Sequence, residues 1–160
     1  MTIKKIFFSW DFIFAVLLTA GVGFVLPKFI ETEFTHDLYG IGINVLSIIF
    51  AIYFAALAII TASSDDDFVL FLEEENDFTK LVHSFRFSLS ILFISLVYSI
   101  LIYSFTAFRK SNDILVECNI FFILFTFLFS YSLFATANSA LDSINYAKFR
   151  AKFLKLKPKK

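Results

Sequence analysis

The residues of this sequence that could do chemistry are its hydroxyls, amides and clustered charges, and their spacing limits what each can do. Asn44, Ala51, Ala55 and Ala62 stand at offsets of 7, 11 and 18 residues; Ser88, Ser95, Ser99 and Thr106 repeat those offsets, and so do Asn119, Thr126, Ser130 and Ala137. At about 100° per residue these positions fall within roughly 40° of arc, so each of three helices carries one narrow stripe of small or polar residues. Ser47 and Ala58 widen the first stripe, and Ser84 extends the second. Such a stripe either packs helices, because small residues let backbones approach and hydroxyls bond across the contact, or lines a wet path at the axis of an oligomer. The wet path needs an oligomer because four helices alone enclose no pore, and packing is the favoured reading. Asn44 and Asn119 are expected about two turns in from the end of their helices, at matched depth, where an unpaired amide is costly. They can pair with each other or with their copies in a neighbouring subunit.

The carboxylates crowd into one stretch: Asp65, Asp66, Asp67, Glu73, Glu74, Glu75 and Asp77. Adjacent carboxylates on a helix diverge by about 100°, and no Gly stands where a calcium loop turns, so a solvated acidic face is expected rather than a metal site. Lys148, Arg150, Lys152, Lys155 and Lys157 form a basic counterpart around Phe149, Phe153 and Leu156, which recur at i, i+4, i+7. That pattern reads as a basic interfacial helix whose partner is anionic lipid or the acidic stretch itself. It lacks the stacking aromatics and motif of a nucleic-acid site. His36 and His83 fall on opposite sides of the topology derived below and cannot share a metal, and Cys118 is the single cysteine. There is no phosphate-cradling Gly loop and no H-E-x-x-H pair. No enzyme chemistry is legible, and no cofactor is implied.

The elements that position these groups follow from composition. The chain has 160 residues, of which 59% are hydrophobic and 20% aromatic, and a mean hydropathy of +0.80 takes it out of the range of soluble domains. The 25 Phe beside one Trp and one Met fit an A+T-rich bacterial genome. The pattern predicts an all-α integral membrane protein with four transmembrane helices in two hairpins, over about 12–26, 38–62, 87–108 and 114–140. An uncleaved first helix is favoured over a signal peptide because Trp10 and Asp11 interrupt the apolar run and no small-residue cleavage site follows. Asp11 reads as a capping or interfacial carboxylate beside Trp10. Pro27 ends that helix, and residues 28–37 form a polar connection.

Between the second and third spans, residues 63–86 predict a helical elbow. Ser64 and the three Asp start a helix carrying Phe68, Phe71 and Leu72, and a break at residues 75–77 precedes Phe78, Leu81, Val82 and Phe85, which run on into the third span. The division is thus a transmembrane domain, 1–145, and a basic tail, 146–160.

Orientation follows from the cations. Lys4, Lys5, Lys80, Arg86 and the seven Lys and Arg of the tail lie on one side, against Lys28, Arg109 and Lys110 on the other. The excess places both termini and the elbow in the cytoplasm, in the cytoplasmic membrane. The expected function is a non-enzymatic, homo-oligomeric membrane component, in the form of a pore-forming or membrane-perturbing effector of a defence or toxin-related system. The alternative is an anchor subunit that docks a cytosolic protein through the acidic elbow and basic tail.

Overall fold

The computed structural model describes residues 10–26, 28–62, 66–73, 77–114 and 116–156. The expected residues Asp65, Glu74, Glu75 and Lys157 lie outside them. The order is α1 (Trp10–Val25), β1 (Phe29–Glu31), α2 (Thr32–Ala62), α3 (Asp66–Glu73), α4 (Asp77–Ser111), β2 (Val116–Cys118) and α5 (Asn119–Leu156). Among the described residues three helices are long and apolar enough to cross a membrane, over Thr32–Ala62, Phe78–Ser111 and Asn119–Phe153. The chain is therefore an all-α membrane protein. The 16 residues of α1 rise only about 24 Å, short of the roughly 30 Å of a bilayer core.

The buried positions explain how the helices meet. On α4, Leu81, Phe85, Ser88, Leu92, Ser95, Ser99, Ile102 and Thr106 are buried, in alternating steps of four and three residues. That spacing keeps one face of a helix against neighbours along its length. On α2 the buried set Thr32, Thr35, Tyr39, Gly42 and Leu46 steps in the same way. α4 takes α2 on one side and α5 on the other, and α1 lies against α5. Ala15 of α1 is fully buried, which lets the two backbones approach, while Phe12 meets Phe127 and Tyr131 edge-on.

The expected first hairpin is not a packed pair, since α1 lies against α5 and α2 against α4. Each end of the bundle is closed differently. At one end β1 and β2 pair antiparallel, Ile30 opposite Glu117, and join the segment between α1 and α2 to the segment between α4 and α5. The Thr32 hydroxyl donates to the Ile114 carbonyl at 2.9 Å, and the Asn119 amide donates to the Lys28 carbonyl at 3.2 Å. Arg109 Nη2 donates to the Val116 carbonyl at 2.7 Å, and Lys110 reaches Glu33 at 2.9 Å. α4 stops there because Asp113 turns left-handed (φ 56°): its amide bonds the Lys110 carbonyl, and the Ile114 amide bonds that of Arg109. This is a Schellman ending, with Asp where Gly is commoner. At the other end α3 lays Phe68 and Leu72 on Ile60, Leu81, Phe85 and Tyr146.

Three boundaries depart from the sequence reading. Residues 28–37 are not a free connection, since β1 takes 29–31 and α2 begins at Thr32, six residues before the expected Leu38. The fourth helix begins at Asn119 rather than Ile114, because β2 takes the preceding residues. It then runs through position 146 without interruption to Leu156, so the basic segment is the end of α5. Strands of three residues are too short to show an alternating pattern, so periodicity carries no sign of the pairing.

Near the sheet the core is aromatic. Tyr39 and Phe125 meet at 4.8 Å and 72°, and Phe125 stacks on Phe129. A Cβ at Gly42 would stand 2.5 Å from the tip of the Phe125 ring. That ring is hemmed in by Tyr39, Phe122 and Phe129 and has little room to yield. Gly42→Ala is therefore expected to destabilise the bundle by about 1–3 kcal/mol through overpacking. Thermal unfolding in detergent checks this, and adding Phe125→Leu should restore much of the loss; a stable single variant would contradict the close approach.

Candidate functional site: the hydroxyl seam of α4 and α5

The most concentrated polar chemistry inside the bundle lies where α4 meets α5. Ser88 Oγ is 2.6 Å from Ser139 Oγ and donates to the Ala135 carbonyl at 3.0 Å. One turn nearer the α3 end, Ser84 Oγ donates to Asp142 Oδ2 at 2.8 Å and lies 3.2 Å from Ser139 Oγ. Two turns further along, Ser95 Oγ is 2.6 Å from Ser132 Oγ and donates to the Leu128 carbonyl at 3.0 Å. Ser88, Ser95, Ser132 and Ser139 are all at least 98% buried. Hydroxymethyl side chains are small enough to let helices come close and still satisfy themselves across the gap.

The geometry decides what this seam can do. Asp142, Ser84, Ser139 and Ser88 form one connected cluster; Ser95 and Ser132 form a second. Seven residues of helix separate Ser88 from Ser95, a rise of about 10 Å, which no hydroxyl-to-hydroxyl bond crosses. The Ser99 hydroxyl turns back to its own helix, donating to the Ser95 carbonyl at 2.7 Å, and Thr106 does the same to Ile102. The seam is two polar locks set in an apolar contact, and each residue in it already has a protein partner.

A third polar contact fastens α1. Asn138 Nδ2 donates to Asp11 Oδ1, so Asp11, in the first turn of α1, reaches across to α5. Tyr131, 5% exposed, stands nearby with no partner for its hydroxyl among the described residues and with its ring among Phe12, Phe87 and Phe127. Tyr53 donates its hydroxyl to the Thr136 carbonyl, which links α2 to α5. Sequence reasoning missed Asn138, Asp142 and Tyr53 because each lies off the stripes.

The three expected stripes have different fates. Ser88, Ser95, Ser99 and Thr106 of α4 are buried. On α5, Ser130 is buried, Thr126 is half-buried with its hydroxyl on the Phe122 carbonyl, and Ala137 is exposed. The residues that face Ser88 and Ser95 are instead Ser132, Ala135 and Ser139, a second small-residue register of the same helix. On α2, Asn44, Ser47, Ala51, Ala55, Ala58 and Ala62 are all exposed. Asn44 and Asn119 are not at matched depth: Asn119 opens α5 beside Lys28, whereas Asn44 is 12 residues into α2, about 18 Å along it.

The charged elements divide between the two ends. Asp66 and Asp77 begin α3 and α4; Asp67 is exposed, and Glu73 accepts from the Thr79 hydroxyl at 2.6 Å. Lys148, Arg150, Lys152 and Lys155 are exposed on the last turns of α5, where Phe153 packs on Phe68 and Phe71. The apolar side of that basic segment thus rests on α3. His36 sits on Tyr103, with ring centroids 4.2 Å apart near the sheet, and His83 is in the opposite part of the bundle. Cys118 falls in β2. Among the described residues no three His, Cys, Asp or Glu side chains come together to hold a metal ion.

The Ser95–Ser132 lock generates a test. Removing one hydroxyl leaves its buried partner with a bond fewer, so Ser95→Ala and Ser132→Ala are each expected to cost about 1 kcal/mol, and the double variant less than their sum. Unfolding in mixed micelles measures the coupling. Strict additivity would mean that the two hydroxyls do not meet.

Compared with protein-family models, with curated proteins and with solved structures, the chain finds no match.

Proposed function

We propose that this chain is a non-enzymatic, homo-oligomeric component of a membrane whose copies meet along the exposed face of α2. One observation carries the reading. The stripe Asn44, Ser47, Ala51, Ala55, Ala58 and Ala62 lies on the side of α2 opposite its buried residues, and every member of it is exposed. Only 11% of the most apolar part of α2 is buried, against 39% for α5. Lipid gains nothing from small residues, whereas a second helix does, because Ala and Ser admit a close backbone approach and an Asn amide in hydrocarbon needs a partner. Asn44 has such a partner in its own copy.

The reading takes α1 as a fourth span, tilted or locally thinning the bilayer to match its length. It places the α3 end in the cytoplasm. Lys80, Arg86, Lys148, Arg150, Lys152 and Lys155 are at that end, while Lys28, Arg109 and Lys110 are at the sheet end. Membrane perturbation, if α2 helices surround an axis, would use the Asn44 to Ala62 face rather than the Ser95 seam, whose hydroxyls are already engaged within the protomer. A second reading, an anchor for a cytosolic protein, draws on the four exposed cations at the end of α5 and on Leu70 of α3, which is 69% exposed.

Two measurements test this. In a Cys118→Ser background, Ala51→Cys and Ala55→Cys are expected to give oxidised dimers in the membrane well ahead of Ile52→Cys, which points about 100° away from position 51. Equal cross-linking at all three positions would remove α2 as the meeting face. For orientation, reporter fusions after residue 160 and within the Asn112 turn should read opposite sides, the first cytoplasmic. An external signal at 160 reverses the topology.

A further inference from the structure

Two cavities on the outer flank of α2 and α4 share one side chain, Arg86. The larger, about 430 Å³, is an open apolar groove walled by Phe50, Phe54 and Leu57 of α2 and by Leu89, Phe93 and Ile94 of α4, with Arg86 at its α3 end. The smaller, about 200 Å³, continues past Arg86 toward the start of α4, where Thr79 and His83 line it. Arg86 and His83 are exposed, and no acceptor among the described residues meets the Arg86 guanidinium. Thr79 is already engaged with Glu73, which leaves Arg86 and His83 as the available donors.

We infer that this paired cavity is a binding site for an anionic phospholipid, its phosphate held by Arg86 and His83 and one acyl chain lying in the groove between α2 and α4. Depth supports the assignment. From Phe87 to Phe108 the chain carries no charge, and those 22 residues rise about 33 Å, the thickness of a bilayer core. Arg86 therefore stands where headgroup phosphates lie. The groove extends from Arg86 to Ile94, about 12 Å into the hydrocarbon, where a fatty chain and not a soluble ligand is at hand. A guanidinium suits a phosphate because its fork of donors matches two oxygens at once. The site differs from the basic end of α5, which lies on another helix and whose neighbouring cavity, about 210 Å³, has Lys80, Asp142 and Asn145 in its wall rather than a run of apolar side chains behind one cation.

The test uses the full chain in vesicles. Phe54 is 62% exposed and accepts a reporter, so Phe54→Trp in a Trp10→Phe background places one fluorophore in the groove. Brominated phosphatidylglycerol, diluted into unlabelled phosphatidylcholine, is expected to quench it well beyond brominated phosphatidylcholine at the same mole fraction. A reporter at Leu101→Trp, 65% exposed and away from the groove, should show no preference. Arg86→Gln should lower the preference at position 54 about fivefold, the worth of one surface cation. Neutralising Lys148, Arg150, Lys152 and Lys155 to Gln should leave it in place. Equal quenching by the two brominated lipids, a preference that survives Arg86→Gln, or one that vanishes with the α5 cations would each overturn the site.

Discussion

The architecture depends on the close contact between α4 and α5, and on the rule that polar groups removed from water must find partners in the protein. Ser88, Ser95, Ser132 and Ser139 meet that rule in pairs while keeping the helix surfaces small enough to touch. In a bilayer the lipid is as apolar as a Leu side chain, so the hydrophobic effect does little to bring helices together, and shape and interhelical hydrogen bonds carry more of the specificity. Each such bond is worth only about 0.6 kcal/mol on average, so two locks select a register more than they supply stability. With α4 and α5 in register, α1 and α2 are placed on their two outer sides.

The ends then tie the four long helices together. The three-residue strands contribute few hydrogen bonds, yet they join segments 29–31 and 116–118, which are far apart in sequence. Thr32, Asn119 and Arg109 give further bonds around them, so the backbone groups where three helices begin or end are used. The α3 end is closed by aromatic packing instead. Phe68 touches both Tyr146 and Phe153, and a helix of eight residues, too short to be stable alone, holds its place by tertiary contacts.

The free face of α2 and the flank beside it have different chemistry. The stripe from Asn44 to Ala62 is narrow, small and uncharged, which suits another helix. The groove from Arg86 to Ile94 is aromatic, open and ends in a cation, which suits a lipid. A protein that meets its own copies on one face and lipid on the next would couple its assembly to membrane composition.

The three long apolar helices and the step pattern of α4 could be read in the sequence because each depends on apolar length or on periodicity, which short windows of residues record. Ser88, Ser95, Ser99 and Thr106 are a case in point: they lie on one line of the helix whatever packs there, and the structure buries all four. The partner of that line was not readable. α5 offers two small-residue registers, through Thr126 and Ser130 and through Ser132 and Ser139, and only the crossing of two helices selects the second. The equal stripe on α2 stays exposed for the same reason, since periodicity says which residues share a face and says nothing of what stands opposite. Strands of three residues, the reach of Asn138 to Asp11, and the groove between Phe50 and Ile94 are likewise products of tertiary structure, because each needs residues 30 or more positions apart to be brought close together.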